Sequence, residues 1–188
     1  MLMQFFDPIK YNGIPTANIF KSYGKYFNEV AGSFVLRKYF VSGDPRPELL
    51  AHNLYGDVNY YWILLMLNNI YDPFHGWIKS QEQVHSSAIQ KYKNMPDKEN
   101  TVLYHVDANG KVYWRLTEFP VGSKNWYDIG DTAHRFIQHT GALAPVSAIE
   151  HELNENENKR NILILSPSDL QTFLDMLTRR MEKVRRGS

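Results

Sequence analysis

The pattern of hydrophobic and polar positions divides the 188-residue chain into segments of different period. Residues 34–41 are strand-like, with aromatic and aliphatic side chains closed by the turn-forming Ser42-Gly43-Asp44-Pro45. Residues 46–78 then read as helix, tight turn, helix and aromatic exit loop. Leu49, Leu50 and Leu54 recur at helical spacing, Pro47 suits the first helical position, and Glu48 stands where the helix dipole favours an acid. Gly56 fits the position just past the helix end, and Asp57 fits the cap of the next helix. That helix runs through Tyr60, Tyr61, Trp62, Ile63, Leu64, Leu65, Met66 and Leu67. It is apolar on every face, so other parts of the chain or another subunit must cover it. It is far shorter than the ~20 residues of a membrane span. Asp72-Pro73 breaks the pattern, and Phe74, Gly76 and Trp77 follow.

Residues 1–33 show no steady period and read as an irregular arm, with a short helical piece expected over 17–30 that carries Tyr23, Tyr26 and Phe27. Downstream, Ser80 and Gln83 have capping-box spacing and open a helix whose stripe is Val84, Ala88, Ile89 and Tyr92. Residues 102–106 and 112–116 flank Asp107-Ala108-Asn109-Gly110 and predict a β-hairpin, because Asn and Gly both tolerate positive φ. Residues 117–144 carry no regular pattern and are expected to form a long packed connector around Trp126, Tyr127 and Phe136. Residues 145–160 have a helical stripe of Val146, Ile149 and Leu153, with 154–160 expected to be too polar for burial. Residues 162–165 predict a short buried strand. Ser166-Pro167-Ser168-Asp169 opens a last helix with Leu170, Phe173, Leu174, Leu177 and Met181 on one face and cations crowding its end.

These elements predict an α+β fold: a strand-helix-helix core with an N-terminal arm, a β-hairpin and a C-terminal strand-helix segment. The expected division is 1–33, 34–94, 95–144 and 145–188. Composition narrows the function. A net charge of +1 provides no bulk field to recruit nucleic acid or an anionic membrane. The absence of cysteine excludes disulfides and thiolate zinc sites. The first residues lack a basic start and a long apolar core, so export by a signal peptide is not expected. Tyrosine is abundant, at 12 residues, which suits protein or sugar contacts because the ring buries area while the hydroxyl still finds a partner.

No catalytic constellation, cofactor motif or metal-ligand spacing stands out, and the expectation is a non-enzymatic protein. The seven histidines form no H-E-x-x-H pair, and Walker, G-x-G-x-x-G and G-x-S-x-G motifs are missing. Glu150-His151-Glu152 is conspicuous, but neighbours along a helix point to different faces.

The strand, the two short helices, the Tyr55-Gly56-Asp57 turn and the Asn69-x-x-Asp72-Pro73 exit resemble the LysM fold, placing a LysM-like domain and its following helix at 34–94. Peptidoglycan-binding LysM modules hold glycan chains between the first strand-helix loop and the loop after the second helix. The resemblance would put Asn68, Asn69, Tyr71 and Asp72 in that role. The second strand of such modules is poorly represented here, and a LysM-like block used for protein contact is the stronger reading. The resemblance also extends along the chain. FFDPIKY, residues 36–82, AIQKYKN, VLYHV, GALAPV, NENKRNILIL and the closing RRMEK are together similar to T4-type phage baseplate wedge proteins with a LysM-like domain. The resemblance implies a structural tail subunit, assembled in host cytoplasm and resident in the virion. Its implied partners are other wedge subunits, the sheath-initiator protein and neighbouring wedges, without nucleic acid, membrane or cofactor. For such a subunit the expected apolar anchors are Phe5, Phe6, Tyr23, Phe27, Trp77, Trp126, Phe173 and Met181.

Overall fold

A computed structural model describes residues 8–17 and 23–186. The chain forms two compact units, one from residues 1–78 and 159–188, the other from 79–158. The expected boundaries at 94/95 and 144/145 both fall inside the second unit. Helix, hairpin and connector share that unit because their side chains pack on one another.

In the first unit, the expected arm contains a hairpin, β1 (Pro8–Tyr11) paired antiparallel with β2 (Ile14–Ala17). Helix α1 (Gly24–Ala31) starts later than expected, since Ala17 closes β2. Strand β3 (Arg37–Phe40) leads to α2 (Pro47–Tyr55), which has proline at its start and Glu48 in its first turn. Gly56 ends it at φ 79°, a conformation that costs glycine little. The Asp57 carboxylate accepts from the Asn59 backbone N–H at 2.8 Å and opens a tight turn, Val58–Tyr60, ahead of α3 (Tyr61–Leu67).

Helix α3 divides two cores. Trp62, Ile63 and Leu67 pack with Phe27, Val30 and Ala31 of α1 and with Phe173, Leu177 and Met181 of α7 (Leu170–Arg186). Leu64 and Leu65 pack instead with Val41, Leu50, Ala51, Trp77 and Ile78. Service to two cores explains why no face of α3 is polar. Burial of each such side chain is worth about 1.5–3 kcal/mol.

Strand β10 (Asn161–Ile164) pairs antiparallel with β3 and sends Ile162 and Ile164 into the second of these cores. Its other edge is closed by side chains. Asn68 accepts from the Leu163 N–H at 2.7 Å and donates to the Leu163 carbonyl at 2.9 Å and the Leu64 carbonyl at 2.8 Å. The Tyr55 hydroxyl accepts from the Leu165 N–H and donates to the Leu165 carbonyl, both at 3.2 Å. Burial pushes this phenol up to about 12, with the bond to Leu165 acting the other way, so it stays a donor. Two side chains thus stand in for a third strand. The last helix departs from expectation at its start. Ser166 is buried and its Oγ lies 3.0 Å from that of Ser168, with no side-chain cap on the following turn, Pro167–Asp169.

In the second unit, Ser80 and Gln83 form the expected capping box on α5 (Gln81–Tyr92). Strands β4 (Val102–Val106) and β5 (Val112–Trp114) form the expected hairpin. Its turn uses positive φ at Gly110 but not at Asn109, and the Asp107 carboxylate accepts from the N–H groups of Asn109 and Lys111. The segment expected to lack regular structure, 117–144, holds two strands whole and overlaps two more at its ends. β6 (Leu116–Glu118), β7 (Asn125–Asp128) and β8 (Ile137–Thr140) form one antiparallel sheet, and β9 (Ala144–Ser147) joins β4 and β5. These strands escape the pattern because they are three or four residues long and irregularly paired.

Helix α6 (Ala148–Asn158) therefore begins after Pro145, with Ser147 and Glu150 capping it reciprocally. It packs on α5. The expectation of a wholly exposed polar run fails at Asn156, which is 4% exposed. Asn156 accepts from the Lys79 N–H at 2.8 Å and donates to the Lys79 carbonyl at 2.9 Å, tying the two ends of this unit together.

Candidate interaction surfaces

The loop after α3 is fixed from within. The Asp72 carboxylate caps the single turn α4 (Pro73–Gly76) by accepting from the Phe74 N–H at 2.9 Å, and it meets His75 Nδ1 at 2.5 Å. The hydrogen bond to His75, foremost, holds this carboxyl below the usual carboxylate range. Lys159 Nζ donates to the His75 carbonyl, and Trp77 Nε1 donates to the Pro45 carbonyl at 2.8 Å. Arg160 donates to the carbonyls of Val41 and Gly43. The two loops on either side of Trp77 are thus tied to the body of the unit. The loop after α3, with its α4 turn, presents Tyr71 and Phe74, which are 88% and 82% exposed.

Of the four residues placed in a glycan role, Asn68 is spent on β10 and Asp72 on α4 and His75. Asn69 and Tyr71 remain exposed. The expected apolar anchors are corrected by burial. Phe5 and Phe6 lie outside the described residues. Tyr23, Phe27, Trp77, Trp126, Phe173 and Met181 are each no more than 8% exposed and pack in the chain's own cores. A side chain without free area cannot anchor a partner.

Exposed apolar residues instead include Phe40, Tyr71 and Phe74 in the first unit and Trp114, Val121 and Phe136 in the second. They escape periodicity arguments because they stand on short strands and turns. Asn156 was more legible, since it continues the Ile149–Leu153 stripe by one more helical step.

The second unit is layered, and a bulge in β4 arranges its contacts. Val102 pairs with Ser147 and Tyr104 with Val146, which leaves Leu103 as the extra residue. Leu103 packs on Ala88, Tyr92 and Ala148, and the Tyr104 ring meets His151 of α6. His105 turns the other way, its ring 4.6 Å from that of Trp126 in the second sheet. The conspicuous Glu150-His151-Glu152 triplet is dispersed: Glu150 caps α6, His151 faces Tyr104, and Glu152 takes Lys91 at 2.5 Å and Tyr92 at 2.9 Å. Among the described residues no group of three or more His, Asp or Glu is placed to hold a metal ion, and no helix is long and apolar enough to cross a membrane.

His105 Nδ1 is buried with no hydrogen-bond partner among the described residues, and burial pushes the imidazole down from its ordinary value. The unfolded chain therefore takes up a proton that the folded chain resists. Stability of the second unit is expected to be flat above an unfolded pKa of about 6.5 and to fall as pH drops from there towards the lower folded value. His105→Phe is expected to flatten this part of the profile, as read by urea unfolding between about pH 7 and pH 5. An unchanged slope in the variant would assign the dependence to other groups.

Residues 1–180 match the family model described as base plate wedge protein 53. The chain is also similar to "Baseplate wedge protein gp53" of Enterobacteria phage T4. The two are 42% identical over 192 aligned positions, covering 97% of each chain.

Proposed function

The chain belongs to the base plate wedge protein 53 family, and from that premise we propose that it is a non-catalytic structural subunit of a contractile phage tail. In this reading it joins the wedge core and sheath-initiator proteins and links neighbouring wedges as the baseplate assembles in host cytoplasm. The observation that carries the reading is the match along nearly the whole chain to a relative named for the baseplate wedge. Exposed apolar side chains in each of the two units support it, because a joining subunit needs separate contact areas.

The LysM-like reading belongs here as well. β3, α2 and α3 supply a strand and two helices, and β10 supplies an antiparallel second strand after residues 79–158. A LysM-like core interrupted before its closing strand accounts for the poor second strand directly after the helices. In this account the core serves protein contact, as the commitments of Asn68 and Asp72 favour.

The test is gel filtration with light scattering of the chain mixed with reconstituted wedge core and sheath-initiator protein, beside a peptidoglycan pull-down. A stable, stoichiometric complex without glycan retention is expected. Failure to co-elute, together with retention on peptidoglycan that Tyr71→Ala abolishes, would replace this reading with glycan binding.

A further inference from the structure

We propose that the groove between α1 and α7 docks an acidic segment of a neighbouring baseplate subunit, with an apolar side chain of that segment seated on Met176. The proposal rests on the wedge reading and specifies the chemistry of one of its contacts. The groove has a volume of about 340 Å³ and is lined by Glu29 and Val30 from α1 and by Met176, Arg179, Arg180 and Lys183 from α7. Met176, Arg179 and Lys183 share one helix face at i, i+3 and i+7.

The cations differ in what they already hold. Arg180 donates from Nε and Nη2 to one Glu29 oxygen, at 3.1 and 2.9 Å, and its guanidinium lies 5.0 Å from the Tyr26 ring centre. Its charge is answered and its position fixed. Arg179 and Lys183 are exposed and pair with no acid among the described residues. Residues 179–186 hold five cations against one acid, Glu182, in a chain whose net charge is only +1. The helix dipole accounts for cations in the final turn but not for Arg179, two turns earlier.

The occupant follows from these features. Two unanswered cations follow Met176 along one helix face, so the complementary ligand carries carboxylates next to an apolar side chain. A nucleic-acid backbone fits less well, because it presents no apolar group to Met176. Arginine also matches the geometry of a carboxylate with two parallel donors.

The experiment uses assembled baseplates that contain the full chain. Carbodiimide cross-linking joins amines to carboxylates in direct contact, and peptide mapping then reads the partners of Lys183. A cross-link from Lys183 to an Asp or Glu of a neighbouring subunit is expected. The Arg179→Glu, Lys183→Glu double variant should enter wedges roughly tenfold less well or worse at about 0.15 M salt. Exchange of the cross-linked acid for lysine should restore entry. Circular dichroism and melting of the free variant, unchanged from wild type, would separate lost docking from lost folding. The proposal is overturned if Lys183 reacts with an amine reagent equally in baseplates and in the free chain while the chain is incorporated. Normal entry of the double variant would overturn it too, as would duplex-DNA binding by the wild-type chain that the variant loses. A wild-type chain that never enters wedges would defeat the wedge reading itself.

Discussion

Replacement of Phe173 by alanine is expected to destabilise the first unit by about 3–5 kcal/mol. Phe173 is fully buried on α7, and its ring meets Phe27 of α1 edge-on at 5.4 Å and Phe34 at 5.7 Å. Phe27 in turn packs edge-on against Trp62 of α3 at 6.0 Å. Truncation therefore removes a central ring from a cluster that joins three helices, and the neighbours are themselves too constrained to fill the space. The cost combines lost transfer energy with the cavity left behind. Equilibrium urea unfolding would show the midpoint shift at nearly constant slope. Phe173→Leu, which retains most of the volume, should lose much less. A loss below about 1 kcal/mol for Phe173→Ala would mean that α7 is not held by this cluster.

The second large effect is expected at Asn68. Asn68→Ala removes three hydrogen bonds and strands the Leu163 N–H and carbonyl on the edge of β10 that β3 does not cover. An unmet buried backbone group costs about 1–3 kcal/mol, so a loss of about 2–4 kcal/mol is expected once water recovers part of it. Asn68→Asp is a sharper probe. It retains an acceptor for the Leu163 N–H but turns a carboxylate towards the carbonyls of Leu163 and Leu64. Near neutral pH it should be at least as damaging as alanine and should recover as the carboxyl is protonated. Equal stability of wild type and Asn68→Ala would show that β3 and Tyr55 suffice to hold β10.

What could be read from the sequence was set by the range of the interactions. The α2 start at Pro47, the Gly56 stop, the Asp57 cap and the Ser80–Gln83 box are each decided within a few residues, and the structure contains them. The all-round apolar character of α3 announced that it must be covered, though not that it separates two cores. The pairing of β3 with β10 was not legible, because more than a hundred residues separate the strands and nothing in either specifies the other. The sheet of β6, β7 and β8 was hidden for a different reason. Strands of three or four residues cannot establish alternation, and a register shift between β7 and β8 disturbs what little exists.

The contact surfaces were the least legible. Aromatic residues are equally at home in a core and at an interface, so Phe27, Trp77 and Phe173 read the same in sequence as Tyr71 and Phe74. Only tertiary packing separates the two groups. The cations of α7 were visible as a run, but what they hold was not. The pairing of Arg180 with Glu29 spans 151 positions, and it is this pairing that singles out Arg179 and Lys183 as unanswered.

The central claim is that this chain joins baseplate wedges, and electron microscopy of wedge assembly tests it most directly. Wedges reconstituted from the other subunits would be imaged with and without the chain at equal concentration. The account predicts separate wedges without it and joined wedges with it, bearing the chain at the junctions. Wedges that join equally well in its absence would contradict the account.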